Sequence, residues 1–296
     1  MNNLRFEQLA YEFHEIWDED WFPGEDQDRV RKLATLIPDE TKALLDVGCG
    51  NGLFLNHLKR EYPDRFSRLV GVDRSEAAIK HVETEKKLAS IDQLPFADLQ
   101  FDTVTCMEVL EHLPLTTYVK SLAEIARVAK RSIIVSVPYK QDLKASLCEC
   151  PSCLARFNPD FHVRSYDEYT LRRLFLAQSF EIAGTTYLGE HVVRYDREFR
   201  ARVWDRLHKT LPACPSYAIC PVCGFSDKEK LTEDLASRKR AKLRAVEAPG
   251  EEPKPSGIRG FIASMLPKRS RYRWIAVTYK RAGSRVDRSL RMPADS

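Results

Sequence analysis

The sequence predicts an α/β protein in which a doubly wound, seven-stranded, mostly parallel sheet occupies roughly the first two thirds of the chain and is completed by a strand near its end. Three observations carry this expectation. Short β-rich runs alternate with amphipathic stretches, a glycine-rich turn follows the first run, and an acidic residue ends the second. With 296 residues, 43% of them hydrophobic, the chain can fill one large domain or two ordinary ones.

Taken in order, strands are expected over Ala43 to Val47, Arg68 to Val72, Lys87 to Ile91, Phe101 to Cys106, Ser132 to Val137, Glu181 to Tyr187 and Trp274 to Tyr279, where β-branched and other apolar residues cluster. Helices are expected over Leu53 to Glu61, Ser75 to Glu83, Thr117 to Ala129 and Asp167 to Gln178, whose apolar residues recur every three or four positions. The alternation runs β-α-β through the fifth strand. Two stretches break it and read as insertions, one over 141–164 and one over 189–268. The predicted organisation is a helical segment over 1–40, a core over 41–188, the second insertion, a terminal strand over 269–281 and a flexible tail over 282–296. Within the second insertion, Lys228 to Val246 has the composition of a solvated basic helix, and Glu247 to Gly257 that of a linker.

Composition excludes several classes. The mean hydropathy is −0.41, and no apolar run approaches the about 18 residues that span a bilayer. The start, MNNLRFEQLAYEFHEIWDED, is acidic and lacks the basic, apolar and small-residue zones of an export signal, so a cytoplasmic location is expected. The formal net charge is +4, and after Ser226 Lys and Arg outnumber Asp and Glu about two to one, so the basic character belongs to the tail. Eight cysteines in such a chain suit reduced thiols or metal ligands better than a disulfide framework.

The most specific signal is ALLDVGCGNG over Ala43 to Gly52. Gly48, Gly50 and Gly52 let the backbone take positive φ and let a ligand approach, and the helix that follows presents unpaired amides. Asp73 ends the second strand, where a carboxylate can accept from both hydroxyls of a ribose. A dinucleotide fingerprint requires glycine where this chain has Leu53, which argues against that ligand. Over about Tyr11 to Leu188 the sequence resembles the class I S-adenosylmethionine-dependent methyltransferases, in particular their small-molecule (type 11) group. VGVDRSEAAI, SIDQLPFADLQFDTVTC and MEVLEHLP continue the resemblance beyond the first motif.

That resemblance implies a strand order of 3-2-1-4-5-7-6, with the Cys-containing insertions after strands five and six. It also implies that Gly48, Cys49, Gly50 and Asn51 line the methionine and ribose portion of S-adenosylmethionine, with Asp46 supporting the loop. Asp73 would hold the ribose, Asp92 and Gln93 would meet the adenine, and Met107 would face the methionine portion near the sulfonium. Methyl transfer from a sulfonium is an in-line displacement from an activated donor, so positioning and desolvation suffice and a base is optional. Glu108, Glu111, His112, Tyr139 and His162 fall near the carboxyl edge of the sheet, and His112, Tyr139 and His162 are the candidates for proton removal. The fourth-strand segment CMEVLEHLP lacks the Asp or Asn followed by Pro-Pro and an aromatic residue common in methyltransferases of nucleic-acid amines.

Cys150-Pro-Ser-Cys153 and Cys220-Pro-Val-Cys223 have the spacing with which two thiolates grip one tetrahedral zinc. About 66 residues separate the pairs, too many for a local ribbon. In the implied fold, however, the fifth and sixth strands run parallel, so the insertions that follow them leave the same sheet edge. The expectation is one structural zinc, with Cys148 and Cys214 as thiols that could substitute for a ligand. Cys49 and Cys106 fit small buried residues.

The function expected is methyl transfer to a small-molecule, glycan or lipid-linked acceptor. Two alternatives are an RNA or protein methyltransferase docking through the knuckles and basic tail, and a non-catalytic cofactor-binding scaffold. The basic run RKRAKLR lacks interleaved aromatics, so nucleic acid is not favoured.

Overall fold

The computed structural model describes residue 17 and residues 24–144, 146–193, 214–227, 229–230, 232–234, 237 and 269–283. β1 (Ala43–Val47) is an almost unbroken apolar run, and it is buried because helices cover both faces of the sheet around it. It pairs in parallel with β2 (Arg68–Asp73) on one side and β4 (Phe101–Met107) on the other. β3 (Glu85–Leu88) extends the sheet beyond β2, and β5 (Ala129–Pro138) lies parallel to β4. β6 (Cys148–Glu149) and β7 (Arg156–Phe157) form a separate small hairpin. β8 (Phe180–Val193) is the far edge strand, and β9 (Arg269–Arg281) inserts antiparallel between β5 and β8. The order β3-β2-β1-β4-β5-β9-β8 is the one expected, since the hairpin adds two numbers but no strand to the sheet.

The sheet separates two apolar layers. Leu45, Val47, Val104, Ile133, Val135, Ile275 and Val277 face one side, where Ile125, Ala126 and Val128 of α4 (Leu115–Val128) pack together with Leu171, the last residue of α5 (Glu168–Leu171). Leu44, Ile134, Leu188 and Ala276 face the other, against Val30 and Leu33 of α1 (Gly24–Ala34) and Phe54, Leu55 and Leu58 of α2 (Leu53–Glu61). Period-two alternation along each strand sends neighbours to opposite layers.

Several boundaries differ from expectation. The third strand forms over Glu85–Leu88 rather than Lys87 to Ile91, because the exposed EKKL segment supplies backbone partners to β2 while Ala89 and Ile91 leave the ladder and turn inward. Charged residues suit this edge, and Arg68 grips Glu85 with two bonds of 2.8 and 2.7 Å. The helix expected over Ser75 to Glu83 is α3 (Glu76–Ile79), capped by Ser75 and then tightened into three-residue turns. Asn56 competes for its end, accepting from the Glu83 amide and donating to the His81 carbonyl. The helix expected over Asp167 to Gln178 divides into α5, opened by an Asp167–Thr170 capping box, and a 3-10 turn at Leu176–Gln178.

β8 and β9 run longer than expected, continuing as a two-stranded ribbon in which Glu190 pairs with Tyr272 and Val193 with Arg269. These ends, Gly189 to Val193 and Arg269 to Arg273, lack the period-two alternation of apolar residues that marks a strand in sequence. Of the expected basic helix over 228–246, residues 229–230, 232–234 and 237 are described and helical. The rest of it, the linker over 247–257 and tail residues 284–296 lie outside the described residues. Among the described residues no helix is long and apolar enough to cross a membrane.

Candidate functional site

A cavity of about 310 Å³ opens at the carboxyl ends of β1, β2 and β4, the place where a doubly wound sheet offers a crevice. Its floor is the turn between β1 and α2. Gly48 and Gly50 hold φ of 72° and 53°, and a Cβ on Gly48 would lie 2.3 Å from a methyl of Val109. The Gly48 and Cys49 amides both donate to the Val72 carbonyl, at 2.7 and 3.0 Å. Gly52 is the cap residue of α2, and the Asn51 side chain accepts from the Leu53 amide at 3.2 Å while donating to the Trp17 carbonyl.

Asp73 organises this turn. One carboxylate oxygen accepts from the Gly50 amide at 2.8 Å and the other from the Ser75 amide at 2.9 Å. Burial pushes its pKa up, against the opposing pull of those amides. Asp46 lies deeper and accepts from the Thr105 hydroxyl at 2.6 Å. Burial raises its pKa from 3.8 to about 7, with the Thr105 bond opposing and the Asp73 charge adding to the rise.

The raised Asp46 value makes stability depend on pH with a defined sign. Below about pH 4 the carboxyl is protonated folded or unfolded, and its burial then costs little. As pH rises from about 4 to about 7 the unfolded chain releases this proton while the folded chain keeps it, so stability falls. The full loss above pH 7 is on the order of 4 kcal/mol. Asp46→Asn keeps an acceptor for Thr105 and is expected to flatten this slope, so that urea unfolding finds the variant more stable than the parent at pH 8 but not at pH 4. Parallel stability profiles for the two proteins would contradict the assignment.

Of the sequence-predicted residues, Asp46, Gly48, Cys49, Gly50, Asn51, Asp73, Met107 and His112 line the cavity. Gly52 lies just behind the turn. Asp92 and Gln93 do not line it; their neighbours Ala89, Ser90 and Ile91 do, and the Asp92 carboxylate accepts from the Ser90 hydroxyl at 2.5 Å. His162 stands behind His112 with ring centroids 4.5 Å apart, and its Nδ1 is 2.5 Å from Gln141 Oε1. Burial, with the neighbouring His162 and Arg74, drives the His112 pKa down to about 3, so its ring is neutral near neutrality. Glu111 beside it is fully buried, and burial with the nearby Glu108 pushes its carboxyl well up. Glu111, His112 and His162 each place a ligand atom within 4.8 Å of the others, a spacing that can also hold a cation. Tyr139 is outside the cavity, 2.5 Å from Glu168 Oε1, and Lys140 Nζ lies 3.1 Å from the other Glu168 oxygen.

The sequence did not mark Trp17, Arg29 or Trp274. Trp17 lies over the glycine turn, where a Cβ on Gly50 would come within 2.9 Å of its ring. Glu108, at φ 55°, accepts from Trp274 Nε1 at 2.8 Å and lies 3.2 Å from the Arg29 guanidinium, which stacks 4.7 Å from the Trp274 ring centroid. Arg29 and Glu108 both line the cavity, so this triad joins α1, the end of β4 and β9 at its wall. The 166 residues between Glu108 and Trp274 leave no spacing signal to read.

The cysteine pairs meet as the parallel course of β5 and β8 requires. One sulfur from each of Cys150, Cys153, Cys220 and Cys223 lies within 4.8 Å of the other three. The two knuckles share one local design. The Cys150 amide donates to the Ala155 carbonyl and Leu154 donates back to Cys150, while Cys220 donates to Phe225 and Gly224 donates back to Cys220, all at 2.9 Å. Leu154 and Gly224 occupy the same left-handed position, at φ 61° and 75°. The bridge Ile219↔Ser226 matches the Glu149↔Arg156 pair of the first knuckle. Cys49 and Cys106 are buried thiols whose pKa values burial pushes well up.

Residues 45–135 match the family model of a methyltransferase domain. A ubiquinone biosynthesis O-methyltransferase of Hahella chejuensis is 35% identical over 141 residues, covering 43% of this chain and 55% of that protein. An uncharacterized protein of Methanocaldococcus jannaschii is 32% identical over 148 residues, covering 45% of this chain and 62% of its own. The chain thus spans about half the length of these curated relatives. Among solved structures, the magnesium protoporphyrin IX methyltransferase from Synechocystis with bound SAH superposes with a TM-score of 0.50 at 17% identity, over 64% of this chain and 94% of that one. At that identity the likeness concerns the fold.

Proposed function

We propose, from the match of residues 45–135 to a methyltransferase domain, that the chain is a class I S-adenosylmethionine-dependent methyltransferase that transfers the methyl group of S-adenosylmethionine to a small-molecule, glycan or lipid-linked acceptor. The observation that carries this is the glycine turn held over the half-buried Asp73 carboxylate at the cavity floor. The residues fit the cofactor: glycines keep Cβ atoms off the floor, and Asp73 retains lone pairs for a ribose beyond those given to Gly50 and Ser75. Ala89, Ser90 and Ile91 then take the adenine end, and Met107 with Cys49 the methionine end. S-adenosylmethionine, when bound, supplies a methyl group already activated on its sulfonium.

The chain's own part is positioning and exclusion of water. Trp17, Val30, Leu33 and Leu113 give the cavity apolar walls, and Arg29 and Glu108 set a charged pair at its side. His112, neutral and backed by His162, serves as a hydrogen-bond partner that orients the acceptor. A group pushed to about 3 is a weak base. Tyr139, with its hydroxyl committed to Glu168, supports the edge of the site rather than the reacting atoms.

The test combines binding and turnover. Asp73→Ala is expected to weaken S-adenosylmethionine binding roughly 10- to 100-fold by calorimetry, the loss of one or two charged hydrogen bonds. Wild-type affinity in a folded variant would remove Asp73 from the site. Incubation of methyl-labelled cofactor with metabolite, lipid and glycan extracts is expected to label a low-molecular-weight or lipid-linked product. Label only in RNA or protein would favour a macromolecular acceptor, and binding without any product would favour the scaffold alternative.

The same reading assigns one structural zinc to Cys150, Cys153, Cys220 and Cys223. The four convergent sulfurs and the matched knuckles support it, and four thiolates leave no open position for substrate. Metal analysis is expected to find about one zinc per chain. Replacing Cys220 and Cys223 by serine should release it and loosen the two insertions while cofactor affinity stays within about threefold. Full zinc occupancy in that variant would exclude these ligands.

A further inference from the structure

Two cysteines remain beside the tetrad. Cys148 Sγ and Cys214 Sγ lie 2.9 Å apart, one on each insertion and 66 residues apart in sequence. Neither belongs to the group of four sulfurs that lie within 4.8 Å of one another. The knuckle correspondence explains why: Cys148 stands two positions before the first ligand cysteine, where the second knuckle has Ala218, so it occupies a strand position and not a ligand position. Both sulfurs border the small apolar cluster built from Phe157, Ala218 and Phe225. The Cys214 thiol donates to the Glu149 carbonyl at 3.3 Å.

We propose that Cys148 and Cys214 are a dithiol–disulfide pair of their own, a redox site that joins the two insertions independently of the metal. The separation is about 0.9 Å from that of a bonded pair, and the sulfurs already face each other. Burial sets the order of events. Cys148 is 2% exposed, whereas Cys214 is half-buried. With a small disulfide such as oxidised glutathione as oxidant, the Cys214 thiolate attacks one glutathione sulfur, forms a mixed disulfide and expels one glutathione thiolate. The Cys148 thiolate then attacks the Cys214 sulfur, forms the protein disulfide and expels the second glutathione. The two thiol protons pass to the two departing glutathiones, so two thiols are oxidised and one disulfide is reduced.

The zinc assignment and this pair are separable, because oxidation here uses none of the four tetrad sulfurs. The test exposes the full-length, metal-loaded protein to a series of oxidised-to-reduced glutathione ratios. It is followed by alkylation, digestion and mass spectrometry, with zinc measured on the same samples. The expected result is a Cys148–Cys214 linked peptide, lighter than the paired reduced peptides by two hydrogen atoms, at unchanged zinc content. Cys148→Ser is expected to trap glutathione on Cys214, and Cys214→Ser is expected to leave Cys148 without an adduct. Fully alkylated Cys148 and Cys214 at every ratio, or cross-links confined to the tetrad, would overturn the proposal. An adduct that accumulates on Cys148 in the Cys214→Ser protein would overturn the order of attack. Because the wild-type peptide map decides the main question, a poorly folding variant leaves it answerable.

Discussion

Deletion of residues 269–296 is expected to abolish the cooperative folding of the whole core, not merely to remove a tail. β9 lies inside the sheet, pairing antiparallel with β5 from Ser132↔Lys280 to Pro138↔Trp274 and with β8 along most of that strand. Ile275, Ala276, Val277 and Tyr279 are at most 1% exposed. Burial of the larger three is worth roughly 1.5–3 kcal/mol each. Tyr279 also donates to the Leu171 carbonyl at 2.7 Å, and Arg281 to the Ala126 and Ala129 carbonyls at 2.9 and 2.6 Å. Without β9, β8 loses its partner and β5 becomes an exposed apolar edge. The combined loss reaches the about 5–15 kcal/mol that holds a domain together. Circular dichroism on heating should show no native transition in the 1–268 fragment. A fragment that melts like the parent and binds S-adenosylmethionine with parental affinity would refute the structural role given to β9.

Gly48→Val is expected to be the most damaging single substitution in the glycine turn proposed to hold the cofactor. The site demands φ of 72°, which costs an L-residue about 1–2 kcal/mol and a β-branched one more. Its Cβ would also lie 2.3 Å from Val109 Cγ2. Either the turn or the segment after β4 must then move, and both line the cavity. Affinity for S-adenosylmethionine should fall more than about 100-fold, with a stability loss of roughly 2–4 kcal/mol. Pairing Gly48→Ala with Val109→Ala separates the two causes. Removing the Val109 methyls relieves the contact but not the backbone strain, so this double variant should bind better than Gly48→Ala alone and worse than the parent. Parental affinity in the Gly48→Val protein would show that the cofactor does not use this turn.

Features written within about ten residues are legible in the amino-acid order alone. Ala43 to Gly52 specifies a buried strand, a left-handed turn and a helix start, because apolar runs, glycine φ and helix periodicity are local properties. Asp73 was legible as the last residue of an apolar strand, and the four knuckle cysteines by their spacing. Strand order then followed from the family resemblance, and it brought the distant knuckles to one edge. Local pattern misplaced β3, because an edge strand needs only backbone partners and this one carries charged side chains.

Tertiary structure alone decided the rest. It joined Arg29, Glu108 and Trp274 across three elements at the cavity wall, laid Trp17 over Gly50 and left Tyr139 bonded to Glu168 outside the cavity. It made His112 neutral by burying it against His162 and set Cys148 against Cys214. Each depends on which surfaces meet after the sheet has closed and the insertions have docked. Desolvation and contact between distant residues arise only then, so no local spacing encodes them.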